Sequence, residues 1–207
     1  MKDSLKDILE TISLALVIFL VLQSSIRNYK VELSSMETTL LPNDRLVVNR
    51  LVYFHLGTET IDSLVPFVDI WKDDVRLFPF HPPRYSDIIV FRFPNDPNKD
   101  FVKRVIGVPG DTVSIVRGDI FIDGVLLDEP YITREFGDTL APTLVSPNSY
   151  FVLGDNRNGS SDSRHWGLVP LGNVVGKVSV RYWPLSEFSL LSMEPLGILH
   201  SGSIENP

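Results

Sequence analysis

The sequence predicts a mainly β chain, an antiparallel β-sheet or barrel-like domain preceded by a single N-terminal transmembrane helix. Three observations carry this reading. From Thr11 to Ile26 sixteen residues hold no formal charge. After Lys30, short apolar runs alternate with period two between turn signals. Within them, Asp123-Gly124 between two apolar runs is the strongest short hairpin signal. A chain of 207 residues suffices for one folded domain or two small ones.

The N-terminal element has an almost wholly apolar heart, Thr11 to Leu22. As a helix, its uncharged run rises roughly 24 Å, short of a hydrocarbon core of about 30 Å. Ile8, Leu9 and snorkelling Arg27 and Lys30 extend the match. A cleaved leader fits less well, because Asp3, Asp7 and Glu10 precede the run and no clear small-x-small site follows. A buried helix of this length is the competing reading. Lys2 and Lys6 on one side balance Arg27 and Lys30 on the other, so charge leaves the orientation open. Residues 1–30 are thus set apart from a β domain over residues 31–207.

In the β domain, Arg45 to Arg50, Asp87 to Phe93 and Phe101 to Ile106 read as strands, the last two joined by the breaker-rich loop Pro94 to Lys99. Asp119 to Leu127 reads as a hairpin, and Ser149 to Leu153 and Val174 to Trp183 as further strands. No long amphipathic helix and no repeat period follows the first segment. Residues 53–85 interrupt the pattern with seven aromatic side chains: Tyr53, Phe54, Phe67, Trp71, Phe78, Phe80 and Tyr85. This reads as an insertion with its own apolar cluster, or else as a lipid or partner surface.

Composition excludes several kinds of chemistry. Zero cysteines removes disulfides, thiolate metal sites and a cysteine nucleophile. The first thirty residues hold four basic and three acidic side chains, so the remainder carries 15 against 23, a balance of −8. An acidic body without a basic stripe disfavours nucleic acid as a partner. Phosphate-loop, dinucleotide and paired-histidine metal signals are absent, and His55, His81, His165 and His200 are scattered. The run Asp155 to Gly159 hints at a calcium loop, but that register puts Gly154 first and His165 twelfth, where carboxylates belong. No metal or organic cofactor is expected.

Three segments stand out. Ser34-Ser35-Met36-Glu-Thr38-Thr-Leu40 lies about a dozen residues past the apolar run. Phe101-Val-Lys103-Arg104-Val-Ile-Gly-Val-Pro-Gly-Asp111 sets a lysine in an apolar strand. Gly154-Asp155-Asn-Arg157-Asn-Gly-Ser160-Ser-Asp162-Ser-Arg164 is the third. In this order, together with Tyr85 to Phe91 and Asp128-Glu-Pro-Tyr131, they resemble the boxes of bacterial type I signal peptidases, membrane-anchored serine endopeptidases of family S26. The resemblance covers most of the chain outside the aromatic insertion.

The chemistry can also be argued from the residues. A serine hydroxyl needs a neighbouring base. Lysine serves as one only when neutral, and burial among apolar groups disfavours the ammonium. Regular alternation puts Phe101 and Val105 on the face of Lys103 and turns Arg104 away.

The resemblance implies that Ser35 attacks the scissile carbonyl while Lys103 accepts its proton, and that Ser160 hydrogen-bonds and orients the lysine. It also implies that Asp155, Arg157, Asp162 and Arg164, with Arg104, form an ionic frame. The substrates would be signal-peptide-bearing preproteins. The chain would sit in the bacterial cytoplasmic membrane as a single pass, amino terminus inside and β domain outside. Two departures stand out. Thr38 occupies a position where proline is usual, and Leu33 one where many relatives carry an oxyanion-binding serine, leaving the Ser35 N–H as a donor. A Ser/Lys protease with another substrate is one alternative function. A membrane-tethered β domain that binds exported chains without cleaving them is another.

Overall fold

The computed structural model describes residues 2–53, 81–134 and 136–191. The expectations for Phe54, Phe67, Trp71, Phe78 and Phe80 lie outside the described residues, as do the side chains at positions 1–6, 21, 22 and 24.

Helix α1 spans Lys2–Ser25. Its apolar residues do not form one stripe against a core: Ile8, Leu9, Ile12, Leu14 and every residue from Leu16 to Leu20 is exposed. Among the described residues, no helix is long and apolar enough to cross a membrane. The chain turns at once into β1, Ile26–Lys30, inside the segment that hydropathy groups with the helix. Arg27 and Lys30 therefore stand on a strand rather than on the end of a helix. The Arg50 N–H donates to the Ser25 carbonyl at 2.8 Å and fastens the junction.

The antiparallel expectation is met by two open sheets, not by a closed barrel. The larger contains β1, β2 (Arg45–Asn49), β3 (Ile88–Phe93), β4 (Asp96–Gly107), β9 (Ser149–Leu153), β10 (Val169–Pro170), β11 (Val174–Trp183) and β12 (Ser189–Leu190). Its order is β1-β2-β11-β3-β4-β9-β10, with β12 on β11. The smaller runs β7-β6-β5-β8, from β5 (Thr112–Val116), β6 (Asp119–Ile122), β7 (Val125–Leu126) and β8 (Leu140–Leu144). Asp123 and Gly124 make the expected tight turn, both with positive φ, and Ile122 pairs with Val125. Arg117 and Gly118 turn the chain in the same way between β5 and β6.

The alternation of apolar residues sorts them between cores. Ile88 and Val90 enter one cluster with Met36, Leu40, Leu46, Val48 and Val178. Ile89 and Phe91 enter another with Val105, Tyr150 and Val152. The next residues along β4 and β9, Ile106, Phe151 and Leu153, face a third cluster that the small sheet completes with Val113, Ile115 and Ile120. A central strand with both faces covered reads as a continuous apolar run, as β3 does.

One loop expectation is corrected. Only Pro94 and Asn95 form the turn after β3, and Asp96 to Lys99 continue β4. That half of the strand is largely exposed and meets β3 at a register shift, where Pro97 breaks no interior ladder.

Candidate active site

The site lies where β4, the loop after β1 and the loop after β9 meet. Ile89 pairs with Lys103, so the lysine rises from the middle of the large sheet beside the most central strand. Lys103 is 3% exposed although it carries an amine. Its nitrogen lies 2.6 Å from Ser35 Oγ, within hydrogen-bond distance, across 68 positions of sequence. Phe101 covers the amine with its ring centroid 5.6 Å away. Burial lowers the Lys103 pKa from an ordinary 10.5 to about 8; the carboxylates of Asp162 and Asp155 pull it upward and Arg164 pushes it down.

Ser35 owes its place to the loop that follows β1. Met36 and Leu40 are buried in a core cluster and pin that loop from below. The Leu40 N–H donates to the Met36 carbonyl at 2.8 Å. From the other side, the Asn156 N–H donates to the Ser35 carbonyl at 3.1 Å, and Asn156 Nδ2 donates to the Ser34 carbonyl at 3.1 Å. Gly154 allows this close docking, because a Cβ there would collide with the Ser35 carbonyl oxygen and with Ser160 Oγ.

Arg104 points away from the lysine, as alternation requires, and is wholly buried. Its guanidinium grips Asp155 with two bonds, Nε to Oδ1 at 2.9 Å and Nη2 to Oδ2 at 2.7 Å. Nη2 also donates to Thr39 Oγ1 at 3.1 Å, and Thr39 Oγ1 donates to Asp155 Oδ2 at 2.6 Å. A buried charge pair is tolerated when its remaining donors are satisfied, as here. Arg164 holds Asp162 in the same two-armed way, Nε and Nη2 each at 2.8 Å. Burial raises the Asp162 pKa, but Arg164 and the Gly154 N–H overcome that and hold it below the usual carboxylate range. Arg157 donates to the Gly154 carbonyl at 3.0 Å and to both oxygens of Glu129.

Ser160 is buried at the junction of these loops. Its hydroxyl lies near Asp162 and makes no hydrogen bond of good geometry among the described residues, so the bond to Lys103 that the resemblance implies is not formed here; the Lys103 amine is directed to Ser35 instead. Leu33 is 68% exposed and supplies no polar atom to the serine. Sequence reasoning missed Thr39, Asn156, Glu129 and Tyr131 as parts of the site. All four lie in segments quoted for the resemblance, Thr39 near Ser35, Asn156 beside Asp155, and Glu129 and Tyr131 in the Asp-Glu-Pro-Tyr run, but none was given a role.

An alcohol hydrogen-bonded to a buried amine, on an antiparallel β frame braced by internal ion pairs, places a possible nucleophile beside a possible base. Comparison with known proteins gives the family. The family described as signal peptidase, peptidase S26, matches residues 5–183, and the chain belongs to it. A signal peptidase I from Leptolyngbya laminosa is 35% identical over 196 residues, covering 90% of this chain and 84% of the relative. One from Bacillus caldolyticus is 38% identical over 176 residues, 78% and 82% of the two chains. Signal peptidase IB from Staphylococcus aureus is 32% identical over 207 residues, 91% and 94%. The crystal structure of a signal peptidase I from Enterococcus faecalis is 33% identical, covers 47% of this chain and 97% of that one, and gives a TM-score of 0.43.

Proposed function

We propose that this chain cleaves signal peptides from exported preproteins, with Ser35 as nucleophile and Lys103 as general base. The observation that carries the reading is the 2.6 Å approach of an amine only 3% exposed to a serine hydroxyl. The neutral amine accepts the hydroxyl proton as Ser35 Oγ attacks the scissile carbonyl. The resulting ammonium protonates the leaving amine, which leaves an acyl ester on Ser35. Lys103, neutral again, takes a proton from water as the water oxygen bonds to the ester carbonyl, and returns it to Ser35 Oγ as the ester bond breaks and the acid leaves. Arg104, Asp155, Arg157, Asp162 and Arg164 act on the pair by holding the two strands and the loop that carry it. Ser160, buried beside Gly154, packs where the loop after β9 meets the loop that carries Ser35.

The exposed apolar surface of α1 supports a membrane anchor, with the β domain on the outer face of the cytoplasmic membrane. Tethering raises the local concentration of membrane-held substrates without adding a contact.

Cleavage of a preprotein in detergent tests the pair. Ser35→Ala and Lys103→Met each abolish processing, with losses of about 10³-fold or more, as for removal of a nucleophile or its base. Processing at the wild-type rate by either variant ends this assignment.

A further inference from the structure

The connection between β7 and β8 crosses the outside of the site, and Tyr131 on it touches three parts at once. Its carbonyl accepts a hydrogen bond from Thr38 Oγ1 at 3.1 Å, three residues after Ser35. Its ring lies against the Arg104 guanidinium, 3.9 Å from centroid to Cζ. Its hydroxyl donates to Glu129 Oε1 at 2.6 Å. Glu129 in turn takes both arms of Arg157, at 2.8 and 2.5 Å, and Arg157 holds the Gly154 carbonyl beneath Ser35. Burial, followed by the Glu129 charge, raises the Tyr131 pKa, so the phenol keeps its proton as a donor at neutral pH. Two further contacts press the same connection onto the frame. Asp138 binds Arg164 Nη1 at 2.6 Å, and the Phe136 ring lies 5.2 and 5.5 Å from the guanidinium carbons of Arg157 and Arg164.

Position 38 gives these contacts a purpose. Proline there would preset the backbone of the Ser35 loop but has no hydroxyl to donate; threonine leaves the backbone freer and supplies one. We infer that Thr38 and Tyr131 form a latch by which the connection from the small sheet holds the Ser35 loop in line with Lys103. Both are positioning residues that act through Ser35 and Arg104. The inference rests on Ser35 and Lys103 being the reacting pair.

Steady-state rates on a signal-sequence peptide, with the full chain in detergent micelles, test it. Thr38→Val removes the hydroxyl at nearly constant volume, and kcat falls about fivefold while KM stays within about twofold. Thr38→Ser recovers most of the loss. Tyr131→Leu removes the ring from Arg104 and lowers kcat about tenfold, because small displacements of a nucleophile are costly. Tyr131→Phe, which retains the ring, loses less. In the double variant Thr38→Val, Tyr131→Leu, the losses do not multiply, since each opens the same latch. Four results overturn the inference: kcat within about twofold of wild type in both single variants, a change confined to KM, no recovery in Thr38→Ser, or kcat losses that merely follow lowered thermal midpoints. Wild-type cleavage by Ser35→Ala removes the pair itself, a failure distinguishable from all four.

Discussion

At the scale of single residues, the decisive quantity is the free energy of one proton on Lys103. In water an amine with a pKa near 10.4 is almost never neutral at pH 7. With the value lowered to about 8, roughly one molecule in ten carries the neutral base at that pH. The sign follows directly. Protonation removes the base, so chemistry-limited kcat/KM climbs as pH rises through about 8 and levels off above it. A pH series on a slow peptide substrate reads this limb. A rise centred near 10, or no rise at all, contradicts a buried amine base. The lysine was legible in the sequence because Phe101 and Val105 flank it at two-residue spacing, and strand geometry alone puts them on its face. Its neighbour Arg104 was legible as outward from the lysine; the resemblance placed it in one frame with Asp155, but periodicity could not pair the two across 51 positions.

At the scale of elements, the site depends on two loops packed backbone to backbone. The loop that carries Ser35 presses on the loop after β9 at Gly154, where there is no room for a side chain. Gly154→Ala forces the Ser35 carbonyl or Ser160 to move, and cleavage falls at least about tenfold. Gly172→Ala, on a turn where a Cβ meets nothing within 4 Å, serves as the control and leaves the rate unchanged. Equal rates for the two variants would show that the close approach is unimportant. Other elements escaped the sequence for definite reasons. β1 is short and mostly exposed, and its polar residues Arg27, Asn28 and Lys30 give no alternation to detect. The start of β4 is written in Asp, Pro and Asn, residues that signal turns unless, as here, the strand is exposed and irregularly paired.

At the scale of the whole molecule, an acidic β body stands at the end of a helix whose described apolar residues face outward. Glu10 is the last formal charge before Arg27, and the exposed side chains from Thr11 to Leu20 include seven large apolar groups. If α1 is the anchor, Leu16→Arg with Phe19→Arg, each costing about 2.5–3.5 kcal/mol at the centre of a bilayer, shifts the full chain from sedimented membranes to the soluble fraction. Undiminished sedimentation of that variant would place the attachment elsewhere. The β body begins at Ile26 and keeps its sheets and clusters, so the same variant retains cleavage of a soluble peptide.

The sequence by itself determined the antiparallel β character, the Asp123-Gly124 turn, the apolar setting of Lys103 and the family, because each rests on neighbours within a few residues or on ordered motifs. The tertiary structure supplied what the ordered motifs left unstated: the 2.6 Å approach of Lys103 to Ser35, a pairing the resemblance implied, the two-armed bond of Arg104 to Asp155 within the implied frame, and the reach of Thr38 to Tyr131 over 93 positions. Periodicity states which face a side chain occupies, whereas closing long loops against their entropy selects which faces meet, and that choice is made by the packing of the three clusters.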